Sequence, residues 1–154
     1  MATREHADAL LEAGKRKAGL EELRALVEEY RARPGFHSRT EVADLLIHLA
    51  YEIRLDRKTG MPYFGKIAAE AASLMKEART HLDTSGERAD HTIWYRWYSV
   101  SRRFALMDGE PFKAADIIGE QIKALVTLGD VDPEIIENLR ELKRRDINPP
   151  ATRS

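Results

Sequence analysis

The sequence predicts an all-α fold, and three observations carry that prediction. Apolar residues recur at three- and four-residue steps along nearly all of the 154 positions, with no segment of sustained polar–apolar alternation. Clusters of Gly, Pro, Asp and Ser separate these segments, supplying the stops and starts that helices need. Hydrophobic residues make up 43% of the chain and charged residues 33%, which is enough apolar material for a core and enough charge to coat amphipathic helices. A chain of this length is expected to form a single helical domain over 1–147. The Asn148-Pro149-Pro150 stretch should leave 148–154 as a flexible tail.

About seven helices follow from the pattern. The first, over 3–17, puts Ala7, Leu10, Leu11 and Gly14 on one side, and Gly19 is read as opening the second, with Leu20, Leu23, Val27 and Tyr30 in register. Arg33-Pro34-Gly35 ends it, because proline lacks the amide donor and glycine accepts a left-handed turn. Ser38-Arg39-Thr40-Glu41 has capping-box spacing and starts the third helix. There Val42, Leu45, Leu46, Leu49, Ala50 and Ile53 cover more than one stripe, so this helix should sit between neighbours. The fourth, over 62–82, should bury Phe64, Ile67, Ala71, Leu74, Met75, Ala78 and Leu82. Over 87–107, Trp97, Val100 and Phe104 align as a core stripe. Asp108-Gly109-Glu110-Pro111 opens the sixth helix, over 111–128, with proline at a first-turn position where its missing donor is harmless. Asp132-Pro133-Glu134 starts a short seventh helix with one apolar and one charged face. The loops group the first six into three antiparallel hairpins, 3–33, 38–82 and 87–128, and the seventh has the character of a helix that caps a stack. Stacked hairpins and a compact helical bundle are both compatible with this grouping.

Charge and composition then narrow the function classes. The 25 basic and 26 acidic residues nearly cancel, which disfavours a nucleic-acid partner. Without cysteine there is no disulfide framework, thiolate metal site or cysteine nucleophile. The most apolar run, 42–55, is interrupted by Asp44, His48, Glu52 and Arg54, so no membrane partner is expected and a cytoplasmic location is the default. No phosphate-binding glycine loop, dinucleotide fingerprint, His-Glu-x-x-His or Gly-x-Ser-x-Gly motif occurs, and the expectation is a non-enzyme without a cofactor.

The stretch Ala105-Leu106-Met107-Asp108-Gly109-Glu110-Pro111-Phe112-Lys113-Ala114-Ala115 resembles the turn and second-helix start of a tetratricopeptide repeat. Phe112 and Ala115 take the places of that family's aromatic and packing alanine. Leu11 to Leu23 echoes the pattern more faintly. The turns recur here roughly 42–50 residues apart rather than at the family's 34, and Arg103 stands where the first helix usually offers a small residue. The resemblance implies helical hairpins whose first helices line a partner-binding groove.

Two constellations stand out. On the third helix Asp44, His48, Glu52 and Asp56 recur every fourth residue, a spacing that keeps the first three on one side. Asp44, His48 and Glu52 are the weak candidates for a divalent metal site, against the plainer reading of a solvated ridge, and no metal is expected. On the fifth helix Tyr95, Arg96, Ser99, Arg102 and Arg103, joined by Arg88, lie on the arc opposite the core stripe. Arginines beside a tyrosine can grip carboxylates through forked hydrogen bonds. The expected function is therefore a protein–protein interaction module, an adaptor or regulator, that takes a peptide or partner helix, with acidic partners favoured and self-association an option. The alternatives are a helical metal-binding protein or enzyme using the Asp/His/Glu stripe and, third, a nucleic-acid-associated regulator.

Overall fold

The computed structural model describes residues 2–84 and 91–150. Among these the fold is all-α, with seven helices: α1 (Arg4–Glu12), α2 (Arg16–Ala32), α3 (Arg39–Arg54), α4 (Lys66–Thr84), α5 (His91–Met107), α6 (Pro111–Leu128) and α7 (Pro133–Ile147). No helix among the described residues is long and apolar enough to cross a membrane. The chain divides into two compact units, 1–97 and 98–154, with the division falling inside α5.

In the first unit α1 and α2 form one hairpin and α3 and α4 another. The α1–α2 turn is at Gly14 (φ 79°), not at Gly19. Gly19 lies inside α2, where an added Cβ would come 2.7 Å from Leu11 Cγ, so its missing side chain lets the two helices approach closely. At α3 the serine half of the predicted capping box forms, with Ser38 Oγ accepting from the Glu41 amide at 3.2 Å, while the Glu41 carboxylate lies 3.6 Å from His37 Nδ1. As its broad apolar surface requires, α3 is buried on most sides and packs against both α2 and α4.

Helix α4 starts four residues later than its periodicity suggests. The chain leaving α3 first folds back on it: Leu55 pairs with Pro62, and the Tyr63 amide donates to the Arg54 carbonyl at 2.8 Å. Phe64, expected in the core, sits in this connection before the helix begins and is 59% exposed, with the Arg54 guanidinium 5.6 Å from its ring centroid. The end of α3 is capped by Arg16, whose guanidinium donates to the Glu52, Ile53 and Leu55 carbonyls at 2.7–3.3 Å. These carbonyls belong to the last turn, which has no intrahelical donors left to offer. Arg16 also lies 4.8 Å from the centre of the Tyr63 ring.

Ion pairs set the directions of neighbouring helices. Arg4 pairs with Asp44 and Asp8 with His48, both 40 residues apart, so α1 and α3 run parallel. Arg24 pairs with Glu70 and Arg31 with Glu77, both 46 apart, so α2 and α4 run parallel as well. First helix lies along first helix and second along second, the arrangement of two hairpins stacked in the same sense.

In the second unit the C-terminal half of α5 and α6 form the third hairpin. Tyr98 donates to Glu120 at 3.5 Å across it, and the turn between them is closed by the Glu110 amide donating to the Ala105 carbonyl at 2.9 Å. Ala114, Ala115 and Ile118 are buried, but Phe112 is 69% exposed. It is the second residue of α6, in the first turn of that helix. Helix α7 is capped by Asp132, which accepts from the Glu134 amide at 2.9 Å, and packs on α6 through a face centred on buried Leu139. Ile135 of the same apolar series is 43% exposed. Residues 148–150 follow the helix without regular structure, and the rest of the expected tail lies outside the described residues.

Candidate functional site

The polar stripe of α3 is a ladder of polar pairs whose partners come from α1, α5 and the segment that follows α3. Asp44 is held by Arg4 from α1 at 2.5 Å and by Arg96 from the first part of α5. One turn on, His48 Nε2 lies 2.6 Å from Asp8 Oδ1. One further turn on, Glu52, buried, accepts two hydrogen bonds from Arg57 at 2.9 and 2.6 Å. Asp56 turns away from the ridge: it accepts from the Lys58 amide at 2.9 Å and from the Tyr63 hydroxyl at 3.3 Å. The Lys58 amide is the main reason its carboxyl lies below the ordinary range. Among the described residues no group of three or more His, Asp or Glu side chains is placed to hold a metal ion.

The Asp44 rung is unbalanced. Two guanidiniums share one carboxylate, which leaves one positive charge in excess. Arg4 and Arg96 each spend one Nη1 donor on Asp44, while a guanidinium carries five donors. Their side chains are 38% and 44% exposed while that of Asp44 is 20% exposed, so both arginines reach solvent around a largely covered carboxylate. Tyr95, the neighbour of Arg96, is also exposed.

The six residues of the predicted α5 face therefore have different fates. Tyr95 and Arg96 belong to the first unit, where Arg96 is at the Asp44 rung and Tyr95 is exposed. Ser99 and Arg103 are exposed in the second unit. Arg102 is turned inward there, clamped to Asp146 of α7 by two hydrogen bonds of 2.7 Å, with side-chain exposures of 20% and 5%. Arg88 lies outside the described residues. Sequence reasoning missed Arg4, Asp8 and Arg57. A signal for two of them was present: Arg4 and Asp8 carry, one helical turn apart, charges complementary to Asp44 and His48.

Other polar and aromatic clusters serve packing. Arg79 lies 4.9 and 4.8 Å from the ring centres of Trp94 and Trp97, and the Trp97 indole donates to the Met75 carbonyl at 2.9 Å, which fixes the start of α5 on α4. In the second unit a depression of about 540 Å³ at the end of α7 is lined by Glu141, Arg144 and Arg145, but both arginines are engaged with that glutamate. No family model, curated protein or solved structure matches the chain.

Proposed function

We propose that the chain is a stack of tetratricopeptide-like helical hairpins acting as a protein–protein interaction module, with its partner segment lying along the face built by α1, α3 and the start of α5. The observation that carries this reading is the Asp44 rung. Three helices meet there, and two arginines that each give a single donor to Asp44 reach solvent. Parallel first helices joined side by side also support it, since a continuous strip of side chains from successive hairpins suits an extended peptide or a helix. Catalysis has less to work with. The rungs at His48 and Glu52 are closed on themselves by partners at 2.6–2.9 Å.

Selection of a displayed random-peptide library on the intact chain tests the proposal. Recovered peptides should perturb backbone amide resonances of α1, α3 and residues 91–97. Failure to recover any binder, or perturbations confined to 98–150, would contradict it.

A further inference from the structure

The Asp44 rung also specifies the chemistry of the partner, an inference that rests on the binding reading above. We propose that Arg4 and Arg96 form the seat for a side-chain carboxylate of an acidic peptide, and that Asp44 is the chain's own stand-in for that carboxylate. Each guanidinium gives a single Nη1 donor to Asp44, one to each carboxylate oxygen, so neither makes the two-pronged contact that guanidinium and carboxylate favour. Both arginine side chains stay more than a third exposed.

Charge balance selects the anion. Two arginines and one aspartate leave a single positive charge, which one carboxylate neutralises. A phosphomonoester concentrates about −1.5 to −2 in the seat itself and meets Asp44 as a close like charge, whereas a peptide places one carboxylate there and carries its other charges on neighbouring residues.

The stand-in role makes an unusual demand. Removing the negative charge of Asp44 should strengthen binding, whereas a merely structural aspartate would weaken it when changed. The probe is an acetylated, amidated tetraglutamate peptide, with tetraglutamine and inorganic phosphate as controls, titrated into the intact chain by calorimetry at low salt. Tetraglutamate should bind at least about tenfold more tightly than tetraglutamine, Arg4→Gln and Arg96→Gln should each weaken it about five- to tenfold, and Asp44→Asn should tighten it several-fold. Far-ultraviolet circular dichroism confirms that each variant is folded. If Asp44→Asn does not fold, the two arginine variants decide the outcome.

Equal binding of tetraglutamine, no effect of either arginine, or weaker binding by folded Asp44→Asn overturns the assignment. So does phosphate that binds as tightly as the peptide and displaces it, because the seat would then be one for small anions. If library selection yields neutral peptides that map to α1 and α3 while tetraglutamate does not bind, the carboxylate seat fails and the interaction module stands. If neither binds, both fail.

Discussion

Arg96 and Arg102 lie six residues apart on α5 and each holds an aspartate, yet the two pairs do opposite things. Arg102 meets Asp146 one to one through two parallel hydrogen bonds of 2.7 Å, and both side chains are largely withdrawn from water. Arg96 meets Asp44 through one donor, shares it with Arg4, and stays 44% exposed. A guanidinium that has spent its donors inside the protein is a fastener. One that has spent a single donor at the surface still has binding capacity. What separates them is the number of arginines per carboxylate and the depth of burial, neither of which a helical arc drawn on the sequence contains.

The largest effect should come from breaking the fastener. Asp146→Ala leaves the Arg102 charge half-buried and unpaired, and should lower unfolding free energy by about 3–4 kcal/mol in urea titrations. Replacing both partners, as Arg102→Met with Asp146→Leu, should recover most of that loss, since no orphaned charge remains. A loss under about 1 kcal/mol for Asp146→Ala would place Arg102 in the same class as Arg96 and dissolve the contrast.

Arg16 sharpens the comparison from the side of the fasteners, because its donors go to backbone instead of to an acid. Removing it uncovers the Glu52, Ile53 and Leu55 carbonyls at the end of α3. Arg16→Ala should cost about 2 kcal/mol, with faster amide exchange in the last turn of α3 as its local signature. Arg96→Ala should cost less than about 1 kcal/mol, as expected of an exposed pair whose carboxylate keeps a second arginine.

The smallest effect is a pH dependence at the far end of the α3–α4 hairpin. Burial pushes the His81 imidazole below its ordinary value of 6.5, Glu77 opposes this, and Arg39 adds to it. The native state therefore favours the neutral ring. As pH falls through 6.5 the unfolded chain takes up the proton first, so stability present above that pH is lost below it. His81→Gln should flatten the slope of unfolding free energy between pH 7 and pH 5 while leaving the Arg96 and Arg102 effects unchanged.

Much of this architecture was legible in the sequence. Helical periodicity located all seven helices, the Ser38 cap, the proline starts of α6 and α7, and the enclosed position of α3. Errors arose where local pattern and packing part company. Gly19 reads as a helix start but is a close-approach residue beneath Leu11. Phe64 reads as core because it is aromatic and in phase, yet it sits before the start of α4 and is exposed. The candidate site was half legible. Tyr95 and Arg96 could be nominated from composition, but the pairings that decide their roles join residues 40, 44 and 52 positions apart. Each of these pairs joins helices that have another helix between them in the chain, which no local window reports.

The contrast between a spent and an available arginine can be read directly from guanidinium Nε–Hε resonances during titration with the tetraglutamate peptide. The Arg4 and Arg96 signals should move progressively and saturate together, while Arg102 stays fixed. Movement of Arg102, or a titration that leaves Arg4 and Arg96 where they began, would contradict the account.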